Sequence, residues 1–410
     1  MTTTATQRGP AVYDPFDPAF QADPYPAYRR LRDEDPVHRH EVPGAPPFLV
    51  VSRFADVWDV VRDPATFSSA QGLTFYPDEI ERLGLAPTIV MMDPPRQTEL
   101  RALIAKGFTP RRVLDLEPRV RRFVHTRVGE LGDARADGRV PDLHRDLSQH
   151  VPTWVLAELL GVPESDRTRF GPWVAALVQL QDDGFDVGRL QGADAVAEMF
   201  EYFGDLIARR RTESRDDLIS ALVHAEQDGA TLSDWDILGF CFVMVAGGTD
   251  TTANLISSAV PLLDEHPGQR QLLLDEPCAL GTAVPEMLRL ESSVQGLART
   301  ATRDTEIAGV PVAEGEKVLL LYGAANRDER EFGPTAAELD VRRTHPRHLG
   351  FASGPHFCIG NHLARLMTRV TLEELLSAYP RISADVAAGQ RLHSAFTRGW
   401  VSLPAVLDGR

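Results

Sequence analysis

The stretch Phe351-Ala352-Ser353-Gly354-Pro355-His356-Phe357-Cys358-Ile359-Gly360 sets the tightest limits on what this chain can fold into. It places one cysteine in a loop between two glycines. The residues after it switch to helical spacing, with Leu363, Leu366, Met367, Val370, Leu372, Leu375 and Leu376 recurring on one side. The loop therefore ends near Cys358 and a helix begins there. A thiol at a helix N-terminus meets the positive end of the dipole and unpaired N–H groups, and both favour thiolate. Gly354 and Gly360 let the backbone approach a bulky planar ligand that a Cβ would hold off, and Phe351 and Phe357 offer aromatic surface beside it. Two other readings stand against this one: an incidental cysteine in a Gly-rich turn, and a zinc cluster of His345, His348, His356, Cys358 and His362. The spacings of that cluster match no common zinc pattern.

Composition narrows the setting. The chain has 410 residues, 43% of them apolar and 25% charged, enough for sizeable cores. A net charge of −16 argues against nucleic acid or an anionic membrane surface as the main partner. Three widely spaced cysteines, Cys241, Cys278 and Cys358, give no disulfide framework and indicate a reducing compartment. Residues 1–10 lack the regions of a signal peptide, and the longest apolar run, Ile237 to Ala246, is too short to span a bilayer. A cytoplasmic protein is expected.

The first residues, 1–19, read as an extended lead-in, with Asp and Pro frequent from Tyr13 onward. Helices over Tyr25–Asp33 and Phe54–Val61 flank a strand at Phe48–Val51, and Pro43 to Pro47 is a turn. Gln71 to Met92 lacks a clean period and reads as a long loop with one short helix, a length that usually signals function. Asp93-Pro94-Pro95 opens a helix ending at Gly107, in which Gln97 and Arg101 share a face. Pro110 to Arg211 is helical almost throughout, punctuated at Gly132-Asp133, Asp137-Gly138, Gly161-Val162-Pro163 and Asp182-Asp183-Gly184. The helix that Ser233 or Asp234 opens is apolar on every side, hence central and buried. In its middle, Gly247-Gly248-Thr249-Asp250-Thr251-Thr252 is poor helix interior. Either the helix ends there with Asp250 capping another, or a local distortion opens a pocket. Glu286 and Arg289 lie three apart on a later helix, ordinarily a surface pair. Short alternating runs from Thr305 to Tyr322 form the one strongly β portion, and a last helix runs to about Ala378. No repeat, no linker and no flavin or iron–sulfur motif is found.

The pattern Phe-x-x-Gly-x-His-x-Cys-x-Gly at 351–360 resembles the haem-binding loop of the cytochrome P-450 family, the haem-thiolate monooxygenases. Gly-Gly-x-Asp-Thr-Thr at 247–252, Glu-x-x-Arg at 286–289 and Ala324-Ala325-Asn326-Arg327-Asp328 are similar to further elements of that family. The resemblance covers about residues 20–405, and the wording at 68–74 and 294–300 resembles its actinobacterial branch. It implies a mainly α fold with a small β-rich region, a triangular prism around a buried haem, with 20–410 as a single catalytic domain. It implies haem b with Cys358 thiolate as the iron ligand, and Arg299, His356 and Arg101 as propionate ligands. Gln97 stands where the family usually has His, so a neutral amide replaces one cation. Phe351, Gly354 and Gly360 would pack around the cofactor, and Gly247 and Gly248 would leave room over it. Asp250 and Thr251 would deliver protons to bound dioxygen. Glu286, Arg289 and Arg343 would form a buried structural ion pair, and 170–203 would hold the lid over the substrate.

The implied reaction inserts one oxygen atom of O2 into a C–H bond, by hydroxylation or oxidative dealkylation. Electrons would come from NAD(P)H through a separate ferredoxin and ferredoxin reductase, steered to positive charge from Arg111, Arg112, Arg121, Arg122, Arg343, Arg347 and His348. A peroxide-driven peroxygenase and a haem-binding sensor without turnover are the alternatives. The candidate substrate pocket takes Leu73, Phe75, Ile89, Val90, Met244, Val294, Leu297 and Phe396. These residues are apolar and offer no charged anchor, so a medium or large apolar molecule is expected.

Overall fold

The structure, a computed structural model, describes residues 13–41, 46–77, 79–83, 86–182, 193–227, 229–344 and 347–407. The turn expected at 43–47 and the punctuation expected at 182–184 fall largely outside them.

Most of the lead-in expected over 1–19 lies outside the described residues, but its last two positions already belong to a helix. Asp17 accepts a hydrogen bond from the Ala19 N–H, and with Pro18 in the first turn it starts α1 (Pro18–Ala22). Then come α2 (Tyr25–Glu34), β1 (Val37–His40), β2 (Phe48–Val51), α3 (Phe54–Arg62), β3 (Phe67–Ser68) and α4 (Glu79–Leu83). The helical half follows: α5 (Arg96–Gly107), α6 (Pro110–Ala136), α7 (His150–Leu159), α8 (Phe170–Asp182), α9 (Ala193–Thr212) and α10 (Leu218–Val223). A short hairpin of β4 (Glu226–Gln227) and β5 (Ala230–Thr231) leads to α11 (Asp234–Gly248), α12 (Asp250–Glu265), α13 (Pro267–Asp275) and α14 (Leu280–Glu291). Strands β6 (Leu297–Ala301), β7 (Thr305–Ile307), β8 (Val310–Val312) and β9 (Lys317–Leu320) precede the short α15 (Tyr322–Ala325) and α16 (Glu329–Phe332). Helix α17 (Asn361–Ala378) and strands β10 (Ser383–Ala384), β11 (Gln390–Arg391), β12 (Trp400–Ser402) and β13 (Ala405–Val406) close the chain.

The main sheet has the order β1-β2-β9-β6-β3. Its central pair β2–β9 is parallel, with Leu49 opposite Val318 and Val51 opposite Leu320, and the other pairs are antiparallel. Both central strands are buried throughout, β2 as an unbroken apolar run and β9 as one that opens on the buried Lys317. Strand β1, sequence Val-His-Arg-His, has no apolar run to announce it and is held at the edge by pairing with β2 and by Val37, which is buried in the sheet core.

The largest core lies among α5 to α14 and α17, with α12 buried along nearly its whole length. Ser233 and Asp236 start α11 with a reciprocal capping box. Between α11 and α12 the backbone stays right-handed at Thr249 (φ −88°, ψ −62°). The chain therefore continues as a distorted helix instead of stopping and restarting. Thr249 and Thr251 each donate their hydroxyl to the carbonyl four residues back, at 2.6 Å, to Val245 and Gly247, a bond that bends helices. Asp250 does not cap α12; its carboxylate accepts from Asn254 one turn on, at 2.9 Å.

Candidate active site

Cys358 stands at the end of a tight loop three residues before α17. Its N–H donates to the Phe351 carbonyl at 2.9 Å, and its carbonyl accepts from the Asn361 side chain at 2.9 Å, so the loop closes on itself around the thiol. Burial pushes the Cys358 thiol up from its ordinary pKa, while the Gly360 N–H, Arg101 and Arg365 pull it down. The helix terminus thus acts in the expected direction, but burial outweighs it. The two loop glycines serve different ends. Gly354 has φ +67°, and a Cβ there would meet the Val61 carbonyl at 3.0 Å and Arg62 Cα at 3.2 Å, so it seats the loop on the end of α3. A Cβ on Gly360 would find only the Cys358 sulfur, at 3.9 Å. Only Gly360 therefore keeps space open beside the thiol.

The cations around this thiol are short of acids. Arg299 is 2% exposed and donates to the Ala298 carbonyl at 2.7 Å. Arg101 and Arg365 are half-buried, and Cys358 is the one group whose charge supports their own. Among the described residues, none of these three arginines forms an ion pair with a carboxylate. His356 is held neutral, its pKa pushed down to about 4 by burial and then by Arg299, with Asp93 opposing and Arg101 adding to the fall. Its Nε2 lies 3.2 Å from the Ser69 hydroxyl. Buried guanidiniums without counter-ions are costly. This set therefore fits a group that brings two carboxylates and a thiolate-seeking metal, as haem does. Gln97, 1% exposed, donates to the Pro355 carbonyl at 2.7 Å and so ties α5 to the cysteine loop.

Above the distortion between α11 and α12, Gly247 is exposed and Thr251 half-exposed, although Met244, Val245, Thr249, Asp250, Thr252 and Ala253 around them are buried. Nothing lies within 4 Å of where a Gly247 Cβ would stand, while one on Gly248 would press on Leu156 at 3.1 Å. The open space is therefore on the Gly247 side.

Glu286 and Arg289 are both fully buried and pair through two bonds of 2.7 Å. Arg343 adds a third, Nε to Glu286 at 2.9 Å, and Arg289 also donates to the Asn326 and Ala336 carbonyls. Of the other cations expected to form a positive surface, several are neutralised. Arg112 pairs with Asp216, Arg121 with Glu117, Glu373 and Glu374, and Arg347 with Glu331. Arg111 and Arg122 stay exposed. Beside them, α6, α14 and α17 bound a groove of about 250 Å3 lined by Val113, Leu114, Leu280, Val284, His362 and Arg365.

The eight pocket candidates do not share one surface. Phe75 and Phe396 pack together at 4.9 Å, with Phe75 stacked on Phe48 at 4.6 Å, in a small core under the N-terminal segment. Met244 belongs to the main core, while Val294 and Leu297 pack against the sheet core. Leu73, Ile89, Val90, Val294 and Leu297 remain half-buried. Sequence reasoning did not single out Arg365, Asn254 or Ser69. Arg365 follows Cys358 by seven residues, about two helical turns, and that spacing was the available signal. Among the described residues no three His, Cys, Asp or Glu side chains gather as a metal cluster, with His345 outside them, and no helix is long and apolar enough to cross a membrane.

The family model described as cytochrome P450 matches residues 279–385. The chain is 50% identical over 366 residues to "Cytochrome P450 130" of Mycobacterium tuberculosis, covering 87% of this chain and 88% of that one. It is 35% identical over 419 residues to the "Vitamin D(3) 25-hydroxylase" of Pseudonocardia autotrophica, covering 100% and 99%. The solved structure of cytochrome P450 CYP109Q5 from Chondromyces apiculatus superposes with a TM-score of 0.85 at 32% identity, covering 97% of this chain and 98% of that one. The distorted central helix, the closed cysteine loop and these matches agree, and the chain belongs to the cytochrome P450 family of haem-thiolate monooxygenases.

Proposed function

We propose that this monooxygenase hydroxylates, or oxidatively dealkylates, a largely apolar small molecule, using O2 and electrons from a separate ferredoxin and its reductase. The observation that carries the cofactor assignment is the set of three arginines around Cys358, one buried and two half-buried, that form no ion pair with a carboxylate among the described residues. Haem b, when bound, supplies oxygen activation. The chain supplies the rest. Cys358 would hold the iron through its sulfur, and Arg299, Arg101 and His356 would hold the propionates. Asp250, steadied at Oδ2 by Asn254, would relay protons near the open side of the central helix. Thr251 presents a hydroxyl there, and the Gly247 carbonyl accepts from it in the resting arrangement. The buried flanks of α11 and α12 limit water to that opening.

An apolar substrate is supported by the half-buried apolar residues Leu73, Ile89, Val90, Val294 and Leu297, and by a relative whose name is that of a vitamin D hydroxylase. A ferredoxin is supported by the groove next to Arg365 and His362, with Leu114 61% exposed one helical turn from exposed Arg111. Such a surface joins apolar contact to positive charge that steers an acidic partner. Residues 20–410 act as a single catalytic unit in this reading, since the site draws on α5, α11, α12, β6 and the cysteine loop together.

The test is the spectrum of the purified protein reduced under carbon monoxide, beside Cys358→Ala, followed by turnover with NADH, a ferredoxin and its reductase. A strongly red-shifted Soret band that the mutant loses, with turnover requiring O2 and the ferredoxin, is expected. An imidazole-type Soret would reject thiolate ligation. Turnover with peroxide alone would reassign the protein as a peroxygenase.

A further inference from the structure

We propose that a small cavity between the N-terminal segment and the C-terminal hairpin binds one monovalent inorganic anion of chloride size, held between Arg391 and Arg398. The cavity lies away from the cysteine loop. It is bounded by Pro15, Phe20, Gln21 and Tyr28 on one side and by Arg391, Ser394, Thr397 and Arg398 on the other, and measures about 20 Å3, room for one or two species the size of water.

Charge decides what fills it. Three guanidiniums, from Arg327, Arg391 and Arg398, converge here on one half-buried carboxylate, Glu291. That carboxylate is held loosely, at 3.7 Å from Arg327 and 3.9 Å from Arg398, and also accepts from the Tyr25 hydroxyl at 3.4 Å. Arg391 has no ion pair among the described residues. Asp23 and Glu265, the other acids whose charge reaches the two arginines, are both exposed. Ring faces soften the excess, Trp400 under Arg391 and Tyr25 under Arg327, each at 3.5 Å. A cation–π contact offsets part of a charge but does not neutralise it.

Hydrogen bonding points the same way. Arg398 is 8% exposed and gives its two terminal nitrogens to the Gln21 and Ala22 carbonyls, yet its Nε makes no hydrogen bond, with Glu291 Oε2 the nearest acid at 3.9 Å. Arg391 Nη1 is buried and has none either. Two orphan N–H donors, one on a cation with no ion pair and one on a cation that shares a single distant carboxylate with Arg327, call for an acceptor that carries charge. A water would satisfy the donors and leave the charge.

Occupancy would brace the hairpin segment 394–399 against α1 and α2. That segment includes Phe396, whose carbonyl accepts from the Gln295 N–H at 2.7 Å, and Thr397, which bridges Val294, so the brace reaches the segment that leads into β6.

The experiment is thermal unfolding of the haem-loaded protein at fixed ionic strength, exchanging sodium gluconate for chloride, bromide or sulfate, together with anomalous diffraction from crystals grown in bromide. Chloride and bromide are expected to raise Tm saturably, by about 1–3 °C, with no such rise in sulfate or gluconate. A bromide peak is expected between Arg391 and Arg398. Arg391→Met, which keeps an apolar stem over Trp400, is expected to abolish the saturable rise while leaving the carbon monoxide spectrum intact. Superimposable chloride and gluconate titrations, or a map with water and no anomalous signal there, would overturn the proposal. Should Arg391→Met not fold, the bromide map of the unaltered chain decides alone.

Discussion

Glu286 holds two arginines with one carboxylate that solvent does not reach, and its pair with Arg289 is fully buried. Removing one partner from such a pair leaves the other charge stranded in low dielectric. Glu286→Gln is therefore expected to lower stability by about 3–5 kcal/mol, read as the unfolding midpoint of the haem-loaded protein. Arg343→Met should cost less, because Arg343 keeps 14% of its side chain in solvent. Equal losses for the two variants would show that the pair is not the energetic centre of the cluster. A spacing of three between Glu and Arg carries almost no information by itself, since most such pairs are on surfaces. It became informative only through the family resemblance. The partners of Gln97 and Gly354 were not legible at all. Each answers to a segment far along the chain, Pro355 for the one and Val61–Arg62 for the other, and no local pattern encodes that.

Elements show the same divide between local and distant information. Helices α5 and α17 could be read from periodicity and from the prolines and glycines at their ends, whereas α14 begins at Leu280 and carries Pro285 inside it. The sheet could not, because β2 pairs in parallel with β9 across more than two hundred residues of chain, and β1 has no apolar run. The contact between α12 and the C-terminal hairpin was equally hidden. Asn254, 1% exposed, accepts from the Trp400 N–H at 3.2 Å and donates to Asp250 at 2.9 Å. Gly399 makes this possible, since a Cβ there would fall 2.0 Å from the Asn254 side chain. Overpacking a core contact costs about 1–3 kcal/mol. Gly399→Ala is expected to destabilise by that amount, and to cost much less when Asn254→Ser has already cleared the space. A double-mutant cycle by urea unfolding checks this; additive losses would mean that the two residues do not meet as described.

Across the whole molecule, folding changes how tightly protons are held, and His144 is the clearest site of that change. It lies in a π-helical turn at Leu143–Ser148, packed against α12, with its Nδ1 3.1 Å from the Ser257 hydroxyl. Burial lowers its pKa from 6.5 to about 4, with Asp142 opposing and Arg145 and His150 adding to the fall. Between those values the unfolded chain binds a proton that the folded chain refuses. Stability from this group is therefore complete above about pH 6.5, declines as pH falls, and is fully lost near pH 4. The lost increment is about 1–3 kcal/mol. His356 is depressed in the same direction, but it stands beside Cys358, where a bound cofactor changes the local charge, so His144 is the cleaner probe. His144→Asn keeps a hydrogen-bonding atom near Ser257 and cannot titrate. Its unfolding free energy is expected to fall less steeply than that of the unaltered protein between pH 7 and pH 5, a window above most carboxylate titrations. Parallel curves for the two proteins would show that His144 is protonated in the fold, and that the buried contact with α12 tolerates a charge.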